Sequence, residues 1–300
     1  MKRKIFLLVV LVGIFLLLNP GIGQADYFVL TGNYLQVSVG SGGALIDDDA
    51  TVGLKFDPTG SGDFSGPDFI MPGSPFEFYS VGIDGDWYSA GYDAWDGINP
   101  FDMTTIDNSG SGTLRADSTG GTFYDLGLSQ ALYFDADGSV IHFEVTLTNN
   151  STSETMYNVV YARGVDPDMD WDLFGDDDGD YYDTVNWFEF DRVGSQGPYS
   201  GLILELVDLT GGGIQSIDGG WNEDPYMLLT GMNDGDGDNT INLAWSIGDL
   251  GPGESALLEF DYVIEQGEGG GPSPVPLPAA VWLLGSGLVG LVGLRRKITG

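Results

Sequence analysis

The chain has 300 residues, enough for one large β domain once its two hydrophobic ends are set aside. All 45 acidic residues fall between Asp26 and Glu268, where only Lys55, Arg115, Arg163 and Arg192 are basic, so this stretch carries a formal charge near −41. Such a field repels phosphate backbones and anionic head groups and excludes nucleic acid as a partner, while the lack of cysteine excludes a disulfide framework, a thiolate metal site and a cysteine nucleophile.

Residues 1–25 open with basic Lys2, Arg3 and Lys4, followed by the apolar run Ile5 to Leu18 and the breakers Asn19, Pro20 and Gly21. Small Gly23 and Ala25 stand where cleavage before Asp26 requires them. This order predicts a secretory signal peptide with an apolar helix, taken up by the secretion machinery and removed by signal peptidase.

Beyond it, the 48 glycines cluster beside Asp, Ser and Asn with no collagen-like period, which is the chemistry of turns between short strands. Aromatic and β-branched residues between those turns supply a core. Strand signals cover Tyr34 to Val39, Val52 to Phe56 and Phe76 to Val81. The clearest lies at Val140 to Thr148, where Ile141, Phe143, Val145 and Leu147 alternate with polar residues. Asn149 to Thr152 supplies a polar turn, and Met156 to Tyr161 is predicted as the hairpin partner. Leu202 to Val207, Ile241 to Ile247 and Ala256 to Ile264 complete the set, with no helical period between the two ends. Residues 26–266 are therefore expected to form an all-β, antiparallel β-sandwich, and the length also accommodates a large two-sheet supersandwich.

Several residue groups could carry chemistry. Trp87, Tyr88, Tyr92 and Trp95 lie among Asp84, Asp86, Asp93 and Asp96; they read first as core-filling aromatics and, if exposed, as contacts for sugar rings. The single histidine, His142, falls on the polar side of its strand beside Glu144 and reads as an exposed residue, not a catalytic base. Asp166, Asp168, Asp170 and Asp172 alternate and are followed by Asp176, Asp177, Asp178, Asp180 and Asp183, nine carboxylates within eighteen residues. Their repulsion calls for cations, and hard oxygen ligands favour Ca²⁺; against a standard calcium loop stands Tyr181 where glycine is needed, which keeps a solvated acidic loop as the other reading. Asp234, Asp236 and Asp238 repeat the spacing, but with Asn239 in the glycine position they read as a turn before a site, and Asp47 to Asp49 reads as a solvated turn.

The chain ends with a linker (267–274) and a segment, 275–300, of three parts. A box of Val275, Pro276, Leu277, Pro278 and Ala279 leads into an apolar run and then the basic cluster Arg295, Arg296 and Lys297. From Ala279 to Leu294 the run would reach about 24 Å as a helix, against a hydrocarbon core of about 30 Å, so it spans only marginally. The basic cluster holds its end on the cytoplasmic side and leaves the acidic domain outside.

This tail resembles the PEP-CTERM family of sorting signals in its VPLPA variant, with Leu277 where the commoner form has glutamate. The resemblance implies an exosortase as partner, a transmembrane helix that anchors the chain transiently at the inner membrane, and a Gram-negative-type producer of extracellular polysaccharide. The expectation from the whole sequence is a non-catalytic structural or adhesive protein of the cell surface or extracellular matrix, with calcium binding as one of the two readings of its Asp-rich loop. The alternatives are a carbohydrate-binding module and a polysaccharide-processing enzyme.

Overall fold

The computed structural model describes residues 27–46, 50–92, 100–121, 123–171 and 183–267. The expected signal peptide, Asp47 to Asp49 and the C-terminal tail with its expected helix lie outside them. Among the described residues, no helix is long and apolar enough to cross a membrane.

Strands, numbered in chain order, fall into three antiparallel sheets. The smallest runs β1 (Tyr27–Thr31), β2 (Leu35–Gly40), β3 (Leu54–Phe56). A five-stranded sheet contains β4 (Glu77–Ile83), β5 (Asp86–Tyr92), β10 (Met156–Val165), β14 (Ile214–Asp218) and β15 (Thr240–Leu250), in the order β14-β15-β10-β4-β5. The largest sheet has eight strands. These are β6 (Thr104–Asp107), β7 (Thr113–Gly120), β8 (Leu126–Asp135), β9 (Val140–Asn149), β11 (Val185–Glu189), β12 (Arg192–Gln196), β13 (Leu202–Asp208) and β16 (Ser255–Gln266), in the order β11-β12-β13-β16-β9-β8-β7-β6. The expected all-β, antiparallel class is the class observed.

The two larger sheets share one core. Tyr161 of β10 and Trp245 of β15 reach Phe260 of β16 at ring-centroid distances of 6.5 and 5.3 Å, and Phe143 of β9 stacks on Phe260 at 4.7 Å. The period of two explains why: in β9, Ile141, Phe143, Val145 and Leu147 are buried while the residues between them face outward. The other face of the five-stranded sheet is also covered. There Phe76, Phe78, Ala162 and Ala244 pack with Leu228 of the short helix α1 (Pro225–Leu228). That helix starts where it does because the Asp224 carboxylate accepts from the Tyr226 amide and Pro225 sits in the first turn.

One pairing differs from expectation. β9 pairs with β8 and β16, whereas β10 pairs with β4 and β15, so the polar turn after Asn149 is a crossover between sheets and not a hairpin. Alternation marks a strand as half-buried but carries no information about its partner. The corner is held by Asn149, whose side-chain amide donates to the carbonyls of Glu154 and Leu250, each at 2.8 Å.

Candidate functional site

The end of the fold where β4 meets β5 opens into a cleft of ≈ 360 Å³ lined by Asp84, Asp86, Tyr124, Asp125, Glu154 and Tyr157, among others. Three of these, Asp84, Tyr124 and Asp125, hold φ near +54°, +50° and +59°. Left-handed backbone is costly for an aromatic residue and tends to gather at sites where side chains must be aimed. The Tyr124 hydroxyl donates to Asp86 Oδ2 at 2.7 Å, and this carboxylate raises the pKa of the phenol.

Trp87 and Tyr88 lie beside this cleft on the edge strand β5, 37 % and 44 % exposed, so neither fills the core. Being consecutive in a strand, they project from opposite faces and do not form one platform. Tyr88 meets Phe123 edge-on at 4.8 Å, and Phe123 packs on Tyr124 at 4.7 Å. The side chain of Tyr92 and the whole of Trp95, Asp93 and Asp96 lie outside the described residues.

The alternating aspartates divide. Asp166 and Asp168 flank Pro167, which holds the chain extended, so their side chains fall on the same side. Their backbone amides are fixed on the carbonyls of Phe76 and Phe69 at 2.9 and 2.8 Å. A turn follows, and Asp170 is carried away to accept from the amides of Tyr199 and Ser200 at 2.7 and 2.8 Å. The third carboxylate of the cluster comes from Asp238, which offers an oxygen within 4.8 Å of those of Asp166 and Asp168. Burial, and then the Asp238 charge, pushes the Asp166 carboxyl up to about 8; burial and then Asp183 raise that of Asp238. Asp183 is thus an electrostatic neighbour of the cluster, while Asp172, Asp176, Asp178 and Asp180 lie outside the described residues. Asp234 and Asp236 are spent on backbone amides of other segments, accepting from Gly219 and Asn186.

His142 is on the outer face of β9 with 41 % of its side chain exposed, its ring tilted against that of Tyr133 at 5.2 Å and bonded through Nδ1 to Asp261 at 2.7 Å. Sequence reasoning missed a buried polar group between the sheets. Arg163 and Glu77, both with fully buried side chains, form an ion pair at 2.6 Å. Glu77 also accepts from the Leu45 amide at 2.7 Å and the Tyr262 hydroxyl at 3.3 Å, and the guanidinium lies 4.6 Å from the centre of the Phe143 ring. Burial opposes the charge on Arg163, but Glu77, Tyr262 and Tyr161 together outweigh it and hold its pKa above the ordinary value. The available signal was one basic residue inside the otherwise apolar run from Val159 to Val165.

At the other end of the chain, residues 274–297 match the family model described as the PEP-CTERM protein-sorting motif. The tail is a PEP-CTERM sorting motif. PEP-CTERM tails imply export, sorting to the cell surface and recognition by an exosortase. The motif accounts for the tail alone. No curated protein matches the sequence. Among solved structures, the chain is similar to heparan sulfate lyase HepC from Pedobacter heparinus, with 8 % identity and a TM-score of 0.44 over 82 % of this chain and 36 % of that one. It is similar to the GH36 alpha-galactosidase AgaB from Geobacillus stearothermophilus, with 11 % identity and a TM-score of 0.43 over 82 % and 40 %. It is also similar to a galactose mutarotase related enzyme from Lactobacillus acidophilus, with 9 % identity and a TM-score of 0.40 over 81 % and 98 %. The chain thus spans only about a third of the length of the lyase, and likenesses of this degree assign neither an activity nor a substrate.

Proposed function

We propose that the chain is a non-catalytic structural or adhesive protein of the cell surface or extracellular matrix, exported through its signal peptide and held briefly at the inner membrane before an exosortase acts on its tail. The observation that carries this reading is the PEP-CTERM motif at 274–297 beside a strongly acidic β domain. Acidity supports it physically: a surface far from neutrality stays soluble and repels anionic membranes once released.

The test is to delete the producer's exosortase and follow the protein by fractionation and mass. The expected outcome is accumulation of the unprocessed, membrane-bound form and depletion from the matrix. Unchanged mass and distribution would overturn the reading.

The cleft at β4 and β5 favours a second reading, carbohydrate binding, with polysaccharide processing as its catalytic variant. Tyr124 and Tyr157 are 57 % and 56 % exposed among carboxylates, a combination that stacks on sugar rings and bonds their hydroxyls. On a glycan array, binding is expected to fall at least about tenfold in Tyr124→Ala plus Tyr157→Ala, the loss of roughly 1.4 kcal/mol. Binding that also survives Asp84→Asn with Asp86→Asn, without turnover of the bound glycan, identifies a binding module; turnover abolished by those two changes identifies an enzyme.

A further inference from the structure

We propose that Asp166, Asp168 and Asp238 form a Ca²⁺ site joining the segment that leaves β10 to the segment that enters β15. The inference does not depend on the sorting reading.

Acidic residues are abundant here, and most of the buried ones have an evident structural task. Asp170 accepts two backbone amides. Asp208 accepts from the amides of Gly211 and Gly213 and from Trp245 Nε1. Asp218 accepts from the amides of Gly220 and Asn222. Asp166 differs: it is 2 % exposed, and its Oδ2 has no hydrogen-bond partner among the described residues. A buried carboxylate oxygen that accepts nothing, placed against two further carboxylates, is unfavourable unless a cation joins them.

The geometry suits such an ion. Three oxygens all within 4.8 Å of one another have a common point at most about 2.8 Å from each, and small side-chain rotations bring that to the Ca–O range of about 2.3 to 2.6 Å. Mg²⁺ requires about 2.0 to 2.1 Å in a strict octahedron, a poorer match to this spread, and an all-oxygen set does not select zinc or copper. Asp166 and Asp168 form the buried floor while Asp238 is exposed, which gives the ion an entry path and leaves room for water to complete its shell.

The placement also explains what the ion would do. Val165 and Ile241 are paired at the ends of β10 and β15, so the ion would clamp the sheet where its ladder stops.

The experiment uses the full chain, stripped with chelator, in calorimetric titrations with Ca²⁺ and in thermal melts with and without it. Wild type is expected to bind one more equivalent of Ca²⁺ than either Asp166→Asn or Asp238→Asn, and its Ca²⁺-dependent rise in Tm is expected to shrink in both. In chelator, Asp166→Asn is expected to melt at or above wild type, because it takes one acidic group out of a crowded, buried cluster of three. Asp238→Asn alters an exposed side chain and so guards against a folding defect. The proposal is overturned if Asp238→Asn binds Ca²⁺ like wild type, if Ca²⁺ leaves the wild-type melt unchanged, or if Asp166→Asn melts below wild type in chelator. An equal rise with Mg²⁺ overturns the assignment to calcium.

Discussion

Arg163 and Glu77 bring opposite charges into the driest part of the molecule, where the cost of desolvation is repaid only if every polar atom is placed well. Glu77 →Leu leaves the guanidinium buried and unpaired, and a loss of about 3 to 5 kcal/mol is expected in urea unfolding. The double change Glu77→Leu with Arg163→Met is expected to cost less than Glu77→Leu alone, though not to restore wild type, because the Leu45 amide loses its acceptor. Costs that simply add would show that the pair is not coupled. This group was nearly invisible in the sequence: 86 residues separate its two members, and only folding reveals that β4 and β10 are neighbours. The carboxylate cluster was half legible. Asp166 and Asp168 follow from alternation through an extended Pro167, but the same alternation wrongly suggests that Asp170 joins them, since a turn after Asp168 reverses the chain. Asp238 sat in a run that looked like a turn, and its two neighbours in that run, Asp234 and Asp236, are spent on backbone amides of other segments.

At the level of elements, legibility followed side-chain contrast. β9, β13, β15 and β16 alternate clearly or carry unbroken apolar runs, and all four were expected close to their observed bounds. β7, with the sequence TLRADSTG, and β12, with RVGSQ, offer little apolar contrast and went unrecognised. Their existence depends on ladders with β8 and β13, which local sequence does not encode. Partner choice was hidden for the same reason. Gly164 shows how tightly tertiary contact decides it: a Cβ there would collide with Asn242 Oδ1 and sit 2.5 Å from Phe78 Cε1, so the strand must carry a glycine where β4 and β15 side chains close over it. The crossover between β9 and β10 then places the cleft and the carboxylate cluster at different ends of β10, with Met156 at the cleft and Val165 beside Asp166.

For the molecule as a whole, the excess of acid has two separable effects. Many carboxylates make short local bonds to backbone amides, as Asp57 does with Thr59, Ser61 and Asp63, and contacts at 2.7 to 3.1 Å are hardly screened by salt. The remaining effect is long-range repulsion, which grows when folding draws some 41 uncompensated charges into one body. Between about 0.01 and 0.15 M salt the Debye length falls from about 30 to about 8 Å, so repulsion across the molecule is lost while the local bonds persist. In chelator, the urea midpoint is therefore expected to rise steadily over this range and to do so equally in NaCl and KCl. That response differs in kind from the saturable effect of Ca²⁺ at three carboxylates. A midpoint that stays flat with monovalent salt would mean that the acids are already compensated in the folded state, and self-repulsion would have to be abandoned as a factor in the stability of this domain.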